Sequence, residues 1–170
     1  RSVVITQPAA LVITGTLSNP LCNGSSNGSI IASVGGGTSP YTYLWSTGAT
    51  TSSLSGLLAG TYTVDVTDFN GCTASTQTTI TQPAAGISIQ ETHVNVSCYG
   101  ANNGSIDITP SGGTPGTTPP YSYLWNNAST TQDLSSLIAG TYTVIVTDNV
   151  GCSYTQSIVV SQPLAPLVAT

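Results

Sequence analysis

Four cysteines are the side chains best suited to covalent chemistry, and they fall two to each copy of an internal repeat of about 80 residues. Four cysteines allow three pairings. Because one bond within each copy would let every copy fold alone, we expect Cys22–Cys72 and Cys98–Cys152. Closing loops of about 50 residues would add roughly 4 kcal/mol to the free energy of unfolding in the chain-entropy model. Such bonds indicate an oxidising, extracellular setting.

Free core thiols are the alternative to these disulfides, whereas a metal site lacks suitable ligands. The sequence contains no Cys-x-x-Cys pair, and its one histidine, His93, has no counterpart in the other copy. We therefore expect no metal centre and no cofactor. His93 is interpreted as a surface residue near the junction of the two copies.

The acidic residues are few, and only two of them recur between the copies. Asp68 and Asp148 each stand first in an Asp-x-x-Gly turn, where a carboxylate caps backbone N–H groups. Calcium prefers six to eight oxygen ligands, so Asp65, Asp68 and Asp148 are only weak candidates for such a site. No nucleophile with a base and no paired carboxylates are evident, which predicts no enzymatic activity. The predicted turn residues are Asp68, Asn70, Gly71, Asp148 and Gly151.

The composition excludes several classes of partner. Charged residues make up 4% of the chain, the net charge is −5, and Arg1 is the one basic residue among Lys and Arg. A basic surface for phosphates cannot be built, which excludes nucleic-acid binding and attraction to an anionic membrane. No run of 18 apolar residues exists that would predict membrane insertion.

The elements that position these side chains are short strands separated by turns. The clearest is the stretch 59–72, which returns at 139–152. In it Tyr62, Val64 and Val66 alternate with polar residues, the period of two that is typical of a half-buried strand. Around seven such strands in each copy, with no helical pattern, predict an all-β fold of antiparallel sandwiches.

The repeat also predicts the domain boundaries, at three Gln-Pro pairs. We expect the last strand of a preceding repeat at 1–7, one module at 8–82, a second at 83–162, and the start of a following repeat at 163–170. Each module needs a small apolar core, centred on aromatic residues that alternate with polar neighbours. Those core aromatics are Trp45, Tyr62, Trp125 and Tyr142.

Several linked motifs resemble the SprB-repeat family. They are Cys-Asn-Gly-Ser-Ser-Asn-Gly-Ser-Ile, Gly-Gly-Gly-Thr-Ser-Pro-Tyr-Thr-Tyr-Leu-Trp-Ser, Leu-x-x-Leu-x-Ala-Gly-Thr-Tyr-Thr-Val and Thr-Asp-x-x-Gly-Cys. The resemblance spans both modules and implies repeats of very large Bacteroidetes surface adhesins, including gliding adhesins exported by the type 9 route. A looser likeness to PKD and Ig-like domains shares the Tyr-x-Trp strand. The resemblance therefore implies two tandem Ig-like or PKD-like sandwich modules and transfers no catalytic residues.

Two functions follow as expectations. The first is a structural stalk of a secreted adhesin or filament, whose partners are neighbouring repeats of the same chain. The second is a module that binds polysaccharide or another extracellular surface through the avidity of repeated weak sites. If the positions that differ between the modules gathered on one face, binding would be favoured, whereas scattered positions would favour a spacer. Those positions are Phe69/Asn149, Asn23/Tyr99 and the insertion within 111–120.

Overall fold

The computed structural model describes residues 2, 7–116 and 120–164, which fall into two compact units, 1–82 and 83–170. The strand predicted at 1–7 and the start of a following repeat at 163–170 lie almost wholly outside the described residues. Every element in the described part is a β-strand, and all strand pairs are antiparallel. The predicted all-β sandwich architecture is confirmed.

Unit 1 contains six strands in two three-stranded sheets. They are β1 (Val12–Ser18), β2 (Gly28–Gly35), β3 (Thr42–Trp45), β4 (Ser53–Leu57), β5 (Gly60–Thr67) and β6 (Thr73–Ile80). The sheet orders are β1-β2-β4 and β3-β5-β6. An immunoglobulin constant domain has the orders ABED and CFG, so this is an Ig-like topology without strand D.

Unit 2 repeats this arrangement strand for strand. Its strands are β7 (Ser88–Val94), β8 (Gly104–Ser111), β9 (Ser122–Trp125), β10 (Leu134–Leu137), β11 (Gly140–Thr147) and β12 (Ser153–Val160). The sheet orders are β10-β8-β7 and β12-β11-β9.

The core of each unit lies between its sheets and is centred on β5 or β11. In β5 the side chains of Val64 and Val66 are buried and alternate with outward polar residues, as the period of two requires. Trp45 is buried beside them and donates its indole N–H to the carbonyl of Thr51 at 2.7 Å. Tyr62 packs against this core and donates its hydroxyl to the Leu58 carbonyl at 3.0 Å, as the corner tyrosine of an Ig domain does.

Unit 2 places the equivalent residues in the same way. Trp125 is buried and donates to the Thr131 carbonyl at 2.9 Å. Tyr142 packs against the core and donates to the Ile138 carbonyl at 3.0 Å. The same residue types in the same turns therefore build the same corner twice.

The fourth strand begins late, at Ser53, because the backbone of Trp45 and the Trp45 ring close a turn on Ala49 and Thr51. An apolar pair, Leu57–Leu58 and its copy Leu137–Ile138, follows or ends this strand. Leu57 and Leu137 are buried, but Leu58 is 52% exposed and Ile138 is 59% exposed, since adjacent residues of extended chain point to opposite faces.

Candidate functional site: the two ends of each sandwich

Each sandwich has two distinct ends, which we name by the course of the chain. At the leading end β1 begins, a loop joins β2 to β3, and the turn Asp68–Cys72 joins β5 to β6. At the trailing end the first strand passes into the second, and the last strand finishes. The turns and loops at these ends hold all four cysteines and both recurrent aspartates.

At the leading end of unit 1 the Asp68 carboxylate is enclosed by backbone donors. Its Oδ2 accepts the N–H of Thr38 at 2.9 Å, and its Oδ1 accepts the N–H groups of Asn70 at 2.9 Å and Cys72 at 2.8 Å. The N–H of Thr38, more than any other group, lowers the pKa of Asp68 below its usual 3.8. The carboxylate thus ties the β2–β3 loop to the β5–β6 turn.

Asp148 makes the same nest in unit 2. It accepts N–H groups from Thr114 at 2.8 Å, Val150 at 3.1 Å and Cys152 at 2.8 Å. Burial acts to raise the pKa of Asp148, but the N–H groups of Thr114, Cys152 and Val150 together hold it below 3.8.

Sequence reasoning predicted these two aspartates as turn caps but missed their partner across the end. Gly37 and Gly113 have φ of 60° and 64°, and a Cβ at Gly37 would lie 2.9 Å from Asp68 Oδ2. Only glycine allows the loop to approach the carboxylate so closely while adopting that backbone conformation. The signal was present in the sequence as Gly-Gly-Thr, which occurs in the same loop of both modules.

The weak calcium candidates are not arranged as a cation site. The oxygens of Asp68 and Asp148 face N–H donors, where a cation would need further oxygen ligands. Asp65 lies on the exposed face of β5 and pairs in register with Leu44 of β3. In the described ranges, no three His, Cys, Asp or Glu side chains gather as metal ligands would.

At the trailing end an asparagine and a glutamine clasp the first loop to the end of the last strand. In unit 1 Asn19 Oδ1 accepts the N–H of Thr81, and Gln82 Oε1 accepts the N–H of Gly24, each at 2.9 Å. In unit 2 Asn95 accepts from Ser161 at 2.8 Å. Gln162 accepts from Gly100 at 2.9 Å. Two of the Gln-Pro pairs, interpreted from sequence only as boundaries, therefore also hold the cysteine loops through their glutamines.

The predicted pairing of the cysteines within modules is wrong. Cys72 and Cys98 are free thiols in the described part of the chain, whereas Cys22 and Cys152 are disulfide-bonded. Cys72 lies directly before β6, while the loop with Cys22 is clasped to the residues directly after β6. A strand of 8 residues spans about 25 Å. A disulfide needs Cα atoms about 4–7 Å apart, so the two cysteines of one module cannot pair.

The strand directions give the physical reason. β1 runs from the leading end to the trailing end, so the loop that follows it lies at the trailing end. β3 begins at the leading end and pairs antiparallel with β5, so β5 finishes at the leading end and the turn after it lies there. The loop after β1 and the turn after β5 therefore lie at opposite ends.

Exposed aromatic residues mark two of these ends. Phe69, in the turn Asp68–Cys72, is 71% exposed, and its equivalent in unit 2 is Asn149. Tyr99, next to Cys98, is 52% exposed, and its equivalent in unit 1 is Asn23. The N–H of Phe69 bonds the carbonyl of Thr38 at 2.8 Å, which fixes the turn that carries the ring.

A cleft of about 500 Å³ lies at the leading end of unit 1. The residues that line it include Leu11, Asp68 and Cys72.

His93, which was expected on the surface, is exposed and lies 3.0 Å from Glu91 of the same strand.

No segment in the described ranges forms an apolar helix long enough to cross a membrane.

The comparison with protein families confirms the predicted resemblance. The SprB repeat family matches residues 14–50 and 91–130, one region in each unit. Both regions run from the first strand through the cysteine loop and past the buried tryptophan of the third strand. No curated protein matches the chain.

Solved structures with a likeness to the chain include proteins whose titles name immunoglobulin domains. The amphioxus IgVJ-C2 molecule is 12% identical, with 87% of this chain and 96% of that chain covered and a TM-score of 0.34. DIP-gamma IG1+IG2 is 11% identical, with 91% and 98% covered and a TM-score of 0.41. Murine CEACAM1b is 13% identical, with 89% and 99% covered and a TM-score of 0.30.

These TM-scores are below 0.5, so the Ig-like description rests on the strand order and pairing of this chain itself. Each unit has the ABE and CFG sheets, a buried tryptophan on strand C and a corner tyrosine on strand F. The chain carries two regions that match the SprB repeat, one in each of two Ig-like sandwiches.

Proposed function

We propose that the two units are structural repeats from the stalk of a large secreted cell-surface adhesin or filament. Such a stalk spans distance and holds a binding tip, or further repeats, away from the cell. Display on a bacterial surface, export by the type 9 route and a role in gliding motility belong to the same proposal. Residues 1–7 and 163–170 are then parts of neighbouring repeats.

The observation that carries the proposal is the repetition of architecture at both ends of each unit. The carboxylate nest recurs at Asp68 and Asp148, and the clasp recurs at Gln82 and Gln162. In both features the carboxylate or amide oxygens accept hydrogen bonds from backbone N–H groups of loops, so their role is structural. The match to the SprB repeat in both units supports the same interpretation.

The positions that differ between the units also support a spacer. Phe69 and its equivalent Asn149 lie at the leading end, where Asn149 N–H bonds the carbonyl of Thr114 in the insertion loop at 3.2 Å. The pair Asn23 and Tyr99 lies in the opposite, trailing loops. The variable residues therefore fall at both ends of the sandwich and do not form one binding face.

The second candidate is a carbohydrate-binding module, and the exposed rings of Phe69 and Tyr99 favour it. Sugars stack on exposed aromatic side chains, and repeated weak sites would gain affinity through avidity. One exposed ring at an end gives a smaller platform than a sugar site with several coplanar rings.

A binding screen separates the two candidates. The 170-residue chain is tested for saturable binding to a polysaccharide array and to abiotic surfaces, beside an intact array of repeats. A stalk predicts no saturable binding by the two units. Saturable binding that is lost in Phe69→Asn or Tyr99→Asn, which copy the equivalent residues of the other unit, would contradict the spacer and support the second candidate.

A further inference from the structure

The two free thiols lie at opposite kinds of end. Cys72 is exposed at the leading end of unit 1, and Cys98 is exposed at the trailing end of unit 2. The trailing loop of unit 2 presents Cys98 at its tip, between a clasp made by Asn95 and one made by Gln162. Both thiols are therefore held on fixed backbone and open to another molecule.

The equivalent positions show what such cysteines do in this fold. Cys22 is the trailing-loop equivalent of Cys98, Cys152 is the leading-turn equivalent of Cys72, and both are disulfide-bonded. A bond inside one module is excluded by the length of β6 or β12 between the two ends. A cysteine at either end can therefore find a partner only outside its own module.

A second observation comes from the neighbours of the free thiols. Each free cysteine has an exposed aromatic residue close to it in sequence, Phe69 in the same turn as Cys72 and Tyr99 directly after Cys98. Each bonded cysteine has asparagine at the same position, Asn23 or Asn149. Exposed aromatic rings next to a reactive group indicate a contact with another protein surface, where their burial would stabilise the complex.

Charge decides which ends meet. Cys72 sits against the Asp68 carboxylate, so two leading ends in contact would bring two carboxylates together at a cost in free energy. The trailing loop 95–103 contains no charged residue. A trailing end can therefore approach a leading end without such repulsion, and the cleft of about 500 Å³ beside Cys72 offers space for the loop tip.

We propose that copies of this chain link head to tail through a disulfide between Cys98 of one copy and Cys72 of the next. The contact is heterologous, because it joins two different surfaces and leaves one free thiol at each end of the product. Such a contact generates open chains, or rings if the rotation between copies closes.

The bond forms by two thiol–disulfide exchanges with glutathione disulfide as the oxidant. The thiolate of Cys98 attacks glutathione disulfide, which forms a mixed disulfide and releases one glutathione thiolate. The thiolate of Cys72 then attacks the sulfur of Cys98 and displaces the second glutathione. In sum, two protein thiols lose two protons and two electrons, and one glutathione disulfide becomes two glutathione thiols.

The test is oxidation of the purified chain with glutathione disulfide at pH 8, read by electrophoresis without reductant. Before oxidation, alkylation should label two thiols, and four after denaturation and reduction. After oxidation we expect a ladder of multimers that dithiothreitol collapses to monomer. Mass spectrometry of the multimers should find a crosslinked peptide that contains Cys72 and Cys98.

Single variants give the sharper result. Cys72→Ser and Cys98→Ser should each stay monomeric alone, whereas their equimolar mixture should give one heterodimer and no ladder. Since both positions are exposed, serine should leave the fold intact, which tryptophan fluorescence checks. Phe69→Asn and Tyr99→Asn keep both thiols and should slow multimer formation about two- to tenfold, in line with the loss of an aromatic contact.

Three outcomes would overturn the proposal. The first is the absence of multimers under oxidation. The second is a dimer formed by Cys72→Ser alone or by Cys98→Ser alone. The third is multimer formation by Phe69→Asn and Tyr99→Asn at the same rate as by the parent chain. The proposal goes beyond the stalk function, because it rests on which cysteines are bonded and which are free. A failed adhesion screen would leave it standing, and a failed ladder would leave the stalk proposal standing.

Discussion

At the residue scale, one carboxylate fixes each leading end. Asp68 and Asp148 are 6% exposed and accept three backbone N–H groups each, which satisfies donors of two loops with a single side chain. Charge-assisted hydrogen bonds of this kind are stronger than neutral ones. The negative charge therefore belongs to the folded state, although no cation faces it in the described residues.

We predict that Asp148→Asn destabilises unit 2 and removes part of its acid sensitivity. One Asn nitrogen would face an N–H donor, so the Tm at pH 7 should fall by about 4–8 °C. Because the pKa of Asp148 is lowered in the folded state, its stabilising contribution is present above pH 3.8 and is lost as the pH falls below that value. Tm measured from pH 2 to 7 should fall less steeply in the variant.

The control is Asp107→Asn, which changes an exposed carboxylate of β8 in the same unit. Its Tm at pH 7 should match that of the parent chain. If the two variants gave the same Tm and the same acid profile, the nest around Asp148 would not contribute to stability.

At the scale of elements, the sequence predicts strands well where side chains alternate and poorly where the chain turns. The eight-residue strands Gly60–Thr67 and Gly140–Thr147 follow directly from alternating valine and threonine. The turn 46–52 does not, because its course depends on the Trp45 ring bonding the Thr51 carbonyl, a side-chain contact that alternation does not reveal. The disulfide pairing was wrong for a separate reason. The antiparallel pairing of β3 with β5 decides at which end Cys72 lies, and the alternation within one strand does not show which strands pair.

A pair of glycines in β2 tests how closely the second strand packs. Gly28 is buried, and a Cβ there would lie 2.9 Å from the Leu57 carbonyl oxygen and 3.1 Å from an Ile80 methyl. Gly28→Ala should therefore lower the free energy of unfolding by about 1–3 kcal/mol through overpacking. Urea denaturation followed by tryptophan fluorescence measures the change.

Gly35→Ala is the matched control at the other end of the same strand. A Cβ at Gly35 meets nothing within 4 Å, and its φ is not in the left-handed region. We expect no loss, or a gain of about 0.4–1 kcal/mol from the smaller entropy of the unfolded chain. Equal destabilisation by both alanines would contradict the explanation that close packing around Gly28 is what an added Cβ disturbs.

At the scale of the whole molecule, stability rests on apolar packing and backbone pairing. Charged residues are 4% of the chain, and the one carboxylate–imidazole contact found in the described ranges joins Glu91 and His93 within one strand. The cores were predictable because tryptophan, tyrosine and valine fall at the same positions in both copies. The ends were not, because their contacts join residues far apart in sequence, such as Thr38 with Asp68.

The low charge predicts a Tm that hardly depends on sodium chloride. Between 20 and 500 mM NaCl, differential scanning calorimetry should show a change of less than about 2 °C, because few charge pairs are available to be screened. Sodium sulfate at the same concentrations should raise the Tm, since it strengthens the burial of apolar surface. A large fall in Tm with NaCl would contradict this account.

The direction of the first and last strands has a mechanical consequence. β1 begins at the leading end of its sandwich, β6 finishes at the trailing end, and the two strands lie in contact. A tensile load applied to the two chain ends of a unit therefore pulls β1 along its own axis, across seven paired residues of β2. That ladder is loaded in shear, so its hydrogen bonds must rupture together. Under force, the rate at which the whole sandwich unfolds then depends on how fast the β1–β2 ladder ruptures.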